Sequence, residues 1–142
     1  MSYEFRRPDT AFSVTKQKRP RQTSDGHLKW LRTLPSLVPS SGPVEAAHIR
    51  FADPRYFKRE TGLGEKPDDR WAIPLSASEH RKQHSMGEQD YWASVGIDPV
   101  FVAAMLFNNS GNDEAGEQII SQAQTTLRKP DNSSNRKAGT NV

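Results

Sequence analysis

The chain has 142 residues, of which 33% are hydrophobic and 26% are charged, and this length fits one domain with loose ends better than two domains and a linker. No stretch approaches the roughly 20 apolar residues of a membrane span, and the N-terminus lacks the apolar core of a secretory signal, so we expect a cytoplasmic protein. Cysteine is absent, which excludes disulfides, thiolate zinc ligands, iron–sulfur clusters and a cysteine nucleophile.

The positive charge is concentrated at the N-terminus. The whole chain has a net charge of +3, whereas residues 1–22 alone carry +4, with KQKRPR at their centre. Such an arm could lie along phosphates and release counterions, or it could be a solvated, disordered end. We predict a disordered basic arm over residues 1–25, a domain over residues 26–107, and an exposed helix with a disordered polar tail over residues 108–142.

The first predicted element is a short helix in HLKWLRTL, whose leucines recur at helical spacing. Ser24 or Asp25 can cap this helix, and Pro35 ends it. Leu37-Val38 and residues 44–49 then form two short extended runs, joined by a turn rich in Pro, Ser and Gly. We predict that the two runs pair as a small hairpin.

A long polar stretch, residues 52–70, shows neither helical nor strand periodicity. We predict a loop there, and loops of this length are usually functional or disordered. The apolar run WAIPL follows, after which Ser76 caps a second helix and forms a capping box with Glu79. Two further helices are expected, one ending at Gly96 and one opened by Asp98. Together these elements predict an α+β fold.

Three of the four histidines stand in one suggestive pattern. His80 and His84 are four residues apart, so they lie on one face of the second helix and can share a metal ion, although two solvated histidines would look the same. His48 ends an extended run, where a half-buried structural histidine is the simpler interpretation. The parts that follow it are a loop, Asp68-Asp69, a strand and the histidine-bearing helix, which is their order in a ββα-metal nuclease.

Residues 42–99, which include AAHIRFADPRYF and the run SASEHRKQH, resemble the HNH endonucleases, and among them the phage recombination-enhancement (Ref-like) nucleases. The resemblance implies a small ββα-metal motif packed with additional helices. Members of the family typically bind a structural zinc through two pairs of cysteine or histidine ligands. At the corresponding positions this chain has Ser36-Leu37-Val38-Pro39 and Ser76-Ala77-Ser78-Glu79, so we expect no structural zinc.

The resemblance also implies one divalent metal ion in the active site. His80 and His84 would hold it, together with a carboxylate or phosphate oxygens, and Mg, Mn, Zn and Ni all remain open. The family often has a metal-binding His or Asp directly before its general base, but this chain has Ala47 there. Asp69 corresponds to an Asp at the start of the second strand in the Ref-like proteins, so the resemblance makes it the candidate third ligand and a candidate catalytic residue, with Asp68 as the neighbouring alternative.

His48 corresponds to the general base of the family. A neutral imidazole can take a proton from water near pH 7, and a backbone carbonyl or amide acceptor on its other nitrogen would fix the tautomer. Six cations surround this candidate site and could hold the phosphate backbone of DNA, although loop cations are ordinarily a solvated surface. They are Arg50, Arg55, Lys58, Arg59, Lys66 and Arg70.

The sequence thus predicts a phage-like, metal-dependent HNH endonuclease that cleaves DNA with little sequence preference, because no major-groove recognition module is evident. We expect it to be associated with the nucleoid. Since Ref-like relatives couple cleavage to recombinase filaments, such a filament is a candidate partner, and the oligomeric state is left open. The alternative, favoured by the missing zinc ligands, is a catalytically inactive DNA-binding or accessory protein on a degenerate HNH scaffold.

Overall fold

The structure is a computed structural model that describes residues 20–62 and 64–128. Most of the predicted basic arm and the predicted tail from residue 129 onward lie outside these residues. The described part contains five α-helices and one two-stranded sheet, which confirms the α+β class. In chain order the elements are α1 (Asp25–Arg32), β1 (Val44–His48), β2 (Ala72–Ser76), α2 (Ala77–Met86), α3 (Glu88–Val95), α4 (Pro99–Asn108) and α5 (Asp113–Gln124).

The sheet pairs β1 with β2 in antiparallel fashion, with Val44 opposite Ser76 and His48 opposite Ala72. The predicted hairpin between Leu37-Val38 and residues 44–49 is therefore wrong. A run of two residues between Pro35 and Pro39 is too short to form a ladder, whereas all five residues of β2 are buried and gain more from pairing. Leu37 still contacts the sheet, because its N–H donates to the Pro74 carbonyl at 2.9 Å.

Helix α2 follows β2 without a loop, which is the sequential arrangement of a ββα unit. The predicted capping box at its start is wrong, because Ser76 makes no side-chain cap hydrogen bond. Glu79 instead accepts a hydrogen bond from the buried Tyr91 hydroxyl at 2.6 Å. Burial, followed by this bond to a carboxylate, raises the pKa of Tyr91. Glu79 thus ties α2 to α3 rather than capping its own helix.

The predicted ends of the later helices are confirmed. Helix α3 stops at Gly96, which is left-handed at φ 80, and a β-carbon there would lie 2.8 Å from the Thr126 carbonyl oxygen. Helix α4 begins with Pro99 behind Asp98, whose carboxylate accepts from the Phe101 N–H at 3.3 Å. None of the described helices is long and apolar enough to cross a bilayer alone, and the pair α3 and α4, which together would reach that length, bends by 87°.

The core lies between the sheet and helices α1, α3, α4 and α5. Helix α5, predicted as exposed, buries Ile120 to 1% exposure, and Trp30 Nε1 of α1 donates to Asp113 Oδ1 at 2.8 Å. This packing leaves the outer face of α2 and the loop between β1 and β2 at the surface. The largest side chains that are fully buried are Leu31, Leu37, Ile49, Ile73, Leu75, Tyr91, Leu106 and Ile120.

Candidate functional site

His48 and Asp69, the two predicted catalytic residues, are in direct contact. His48 is the last residue of β1, and Asp69 opens a short 3-10 helix (Asp69–Trp71) directly before β2. Because the strands are antiparallel, both residues lie at the same end of the sheet. The Nε2 atom of His48 lies 2.9 Å from Oδ1 of Asp69. Since an ionised carboxylate can only accept, Nε2 carries the proton and donates it to this bond.

Asp69 is also the anchor of the segment that precedes α1. It is 2% exposed, and its two oxygens accept from the Arg21 guanidinium at 2.5 Å and from the Ser24 N–H at 2.7 Å. Burial acts to raise the pKa of Asp69, but the bonds from Ser24 and His48 and the charge of Arg21 together hold it below its ordinary value. The carboxylate is therefore ionised at neutral pH.

The imidazole of His48 is consequently oriented from one side only. Its side chain is 19% exposed, and within the described residues Nδ1 has no hydrogen-bond partner. A fixed Nε2–H and an open Nδ1 are the requirements for an imidazole that accepts a proton from water. The predicted acceptor, a backbone carbonyl or an amide, is wrong, because the buried Asp69 carboxylate occupies this position in the structure.

His80 and His84 form a second cluster on α2. Their ring centroids are 4.8 Å apart, with an angle of 32° between the planes. The Nδ1 atom of His80 lies 2.7 Å from Oε1 of Glu45 on β1. Sequence reasoning missed Glu45, although strand alternation places it on the same face of β1 as Ala47, the position where the HNH resemblance expects a metal ligand.

The two clusters use different carboxylates. Within residues 20–62 and 64–128, no three His, Asp or Glu side chains form a group able to hold a metal ion. Asp69 is engaged by His48, Arg21 and Ser24, so the role that its geometry supports is the orientation of His48. The role of Asp69 as a metal ligand stays a prediction. Glu45 is the carboxylate that contacts the histidine pair.

Hydrogen bonds join residues 36–41 to the start of α2, the two parts of the chain in which the HNH resemblance would expect zinc ligands. The Ser76 N–H donates to Ser36 Oγ at 2.8 Å, and Ser78 Oγ donates to the Ser41 carbonyl at 2.8 Å. Ser40 and Ser78 also share a hydroxyl bond of 2.5 Å. The loop before β1 is thus held against the start of α2 by serine side chains, which supports the position of the histidine pair one turn further on.

The position of Lys58 contradicts its predicted contact with DNA. It is 3% exposed, and its ammonium donates to the Phe51 carbonyl at 2.6 Å while lying about 6 Å from the Phe51 and Trp71 ring centroids. Burial lowers the pKa of Lys58 to about 8. A buried ammonium cannot reach a phosphate backbone, so Lys58 is a structural residue beneath the loop.

The other five predicted cations differ in how they are engaged. Arg50 donates to the carbonyls of Gly62 and Glu65, at 3.0 and 2.7 Å. Two more pair with carboxylates, Arg55 with Asp53 and Asp98 and Arg59 with Glu65. Lys66 and Arg70 are exposed and form no ion pair with any described residue. These two are the best placed to contact phosphates.

We expect Lys58→Met to change how the stability depends on pH. In the folded protein Lys58 faces Glu88, Asp53, Arg50 and Arg59, and its pKa of about 8 lies below the ordinary lysine value of 10.5. The unfolded chain therefore binds more protons between these values, and the free energy of unfolding should rise with pH across that window. In Lys58→Met the free energy of unfolding, obtained from urea denaturation at a series of pH values, should rise less steeply over this window.

Lys66→Met is the matched control for this prediction, because Lys66 is exposed and should leave the pH dependence unchanged. If the free energy of unfolding rises equally steeply with pH in the wild type and in Lys58→Met, the pKa of Lys58 is not depressed.

Comparisons with known proteins do not add a relative to this picture. No family model, curated protein sequence or solved structure matches the chain.

Proposed function

We propose that this chain is a metal-dependent DNA endonuclease of the HNH type, which hydrolyses phosphodiester bonds with little sequence preference. The observation that carries the proposal is the pairing of a strand-end histidine, His48, with a buried carboxylate, in a ββα unit whose helix presents His80 and His84 side by side. A nucleoid location and a recombinase filament as partner belong to the same proposal.

His48 is the general base of the proposed reaction. Its Nδ1 takes a proton from the attacking water, while Nε2–H stays bonded to Asp69. The buried negative charge of Asp69 stabilises the imidazolium that forms, and the bond keeps the ring in one orientation. Asp69 is accordingly a positioning residue, since it acts on the substrate through His48.

The histidine pair is the proposed binding place of one divalent ion, with Mg, Mn, Zn and Ni as candidates. Imidazole nitrogens suit Zn and Ni, whereas Mg and Mn would depend more on oxygen ligands from water and substrate. A carboxylate that accepts from the second ring nitrogen is a typical support of a metal-binding histidine. Glu45 meets this description, because it engages Nδ1 of His80 and leaves Nε2 for the metal. When bound, the ion would stabilise the charge that develops on the scissile phosphate and the leaving 3′ oxygen.

A second candidate function is DNA binding without cleavage. It is favoured by one observation, namely that the described residues contain no group of three metal ligands. If two histidines are the protein's only ligands, the other ligands of a metal ion would have to be oxygens of water or substrate. A protein that binds no metal could still bind phosphates through Lys66 and Arg70.

Supercoiled-plasmid nicking separates the two candidates. We expect nicking that requires one of the four metals and stops in EDTA. His84→Ala should raise the metal concentration needed for half-maximal nicking at least about 10-fold, because one ligand is lost. Ser85→Ala is the matched control, since Ser85 is exposed, adjacent to His84 and bonded only to the Lys82 carbonyl within its own helix.

A protein that shifts DNA in a gel but nicks it with none of the four metals would overturn the endonuclease and support the binding protein. Nicking that is equally fast in EDTA would overturn the metal requirement.

A further inference from the structure

Phe57 is the most exposed large apolar side chain in the described part of the structure. Its side chain is 97% exposed, and its backbone is left-handed at φ 56, the one non-glycine residue with positive φ among the described residues. Exposure of an aromatic ring and a left-handed backbone are both unfavourable. Two unfavourable features at one residue require a surrounding structure that imposes them.

The turn that carries Phe57 is firmly built. Asp53 and Lys58 exchange two backbone hydrogen bonds, of 2.9 and 3.1 Å, and the Phe57 N–H donates to the Pro54 carbonyl at 3.2 Å. The Asp53 carboxylate accepts from the Arg55 N–H and from its guanidinium, while buried Lys58 holds the base of the turn through the Phe51 carbonyl. The ring is thus held out by the fold.

A cleft of about 500 Å³ lies beside Phe57. Its lining includes Phe57, Asp69 and Arg70, and Asp69 is the partner of His48. The guanidinium of Arg70 stacks over the rings of Trp71 and Phe107, at 4.9 and 5.1 Å from their centroids, which fixes a cation in the cleft wall. The cleft has the size of typical small-ligand sites and could take one nucleotide.

We propose that Phe57 is a stacking platform for an unpaired base, so that this chain prefers single-stranded or locally unpaired nucleic acid, with Arg70 contacting the adjoining phosphate. An exposed aromatic ring beside cations is typical of single-strand binding, because every base offers a face to stack on. A protein partner would call for a contiguous apolar patch, whereas Phe57 lines one cleft with Arg70 and a smaller one with Arg59. The inference rests on the proposed function for its choice of substrate class.

The test is the binding of a labelled single-stranded oligonucleotide and of the matching duplex, measured in EDTA so that no cleavage takes place. Phe57→Ala should weaken single-strand affinity about 10-fold or more and change duplex affinity less than about 2-fold, because only the unpaired base can stack. Phe101→Ala is the matched control, since Phe101 is 47% exposed but lines a separate groove between α4 and α5.

Phe57→Trp supplies a second, direct measurement. Trp30, Trp71 and Trp92 are 9%, 8% and 3% exposed, so a tryptophan at position 57 would be the accessible one among those described. We expect this variant to retain single-strand binding and its emission to be quenched by the oligonucleotide but not by the duplex.

Equal single-strand affinity of the wild type and Phe57→Ala would overturn the inference, as would a wild type that does not bind single strands. It would also be overturned if Phe57→Ala lost only the ability to associate with another protein. Single-strand binding that depends on Phe57, in a protein that nicks no plasmid, would support it while overturning the endonuclease.

Discussion

Replacement of His48 by alanine is expected to lower the metal-dependent nicking rate at least about 100-fold, because general-base catalysis contributes rate factors of this size or larger. The imidazole of His48 has a fixed tautomer and an open nitrogen, as a general base requires. DNA binding measured in EDTA should change little, since His48 is 19% exposed and the phosphate contacts are proposed for Lys66 and Arg70. The measurement is the initial rate of plasmid nicking at saturating metal.

His48→Gln provides the control for folding in this experiment. Its side-chain amide can donate to Asp69 as the imidazole does, but it has no basic nitrogen. Both variants should therefore be equally inactive, whereas His48→Gln should unfold at a urea concentration closer to that of the wild type. Full activity in His48→Gln would contradict the assignment of His48 as the base.

The helices were predictable because their signals are local. The leucine spacing before Pro35, the glycine at position 96 and the Asp98-Pro99 pair each act within a few residues, and α1, α3 and α4 formed where these signals predicted. Strand pairing is not local. Periodicity marks a strand without naming its partner, so the sequence could not show that β1 pairs with β2 across the intervening residues 49–71.

The candidate site was predictable to the same degree. The positions of His48, Asp69 and the histidine pair could be marked from sequence order, but which carboxylate contacts which histidine depends on tertiary packing. The carboxylate of Asp69 binds Arg21 and the Ser24 N–H, and no sequence pattern predicts these contacts. Glu45 is the carboxylate that binds His80. Lys58 was misassigned because a turn folds its ammonium inward, and composition alone cannot report burial.

Asp69→Ala is expected to lower the free energy of unfolding at neutral pH by about 2–4 kcal/mol, which is large for one side chain. The substitution leaves the Ser24 N–H without its acceptor and removes the buried partner of Arg21 and His48. Arg21 and His48 are 33% and 19% exposed, so water can replace part of what they lose, and this limits the effect. Urea denaturation followed by tryptophan fluorescence measures it.

The stabilisation that Asp69 provides should also depend on pH with a defined sign. Its pKa is lower in the folded protein than the ordinary aspartate value of 3.8, so the unfolded chain binds more protons between the two values. The contribution is therefore complete above the unfolded pKa and is lost as the pH falls through the folded one. Asp69→Ala should lack this acid-dependent loss, and the stabilities of wild type and variant should converge in acid.

Asp90→Ala is the matched control for Asp69, because Asp90 is an exposed carboxylate in the first turn of α3. Its loss should cost less than about 1 kcal/mol. If Asp69→Ala is as stable as Asp90→Ala, the carboxylate does not anchor residues 21–24. His48 would then have to be oriented by some other group, and the proposed positioning of the general base would fail together with the stability prediction.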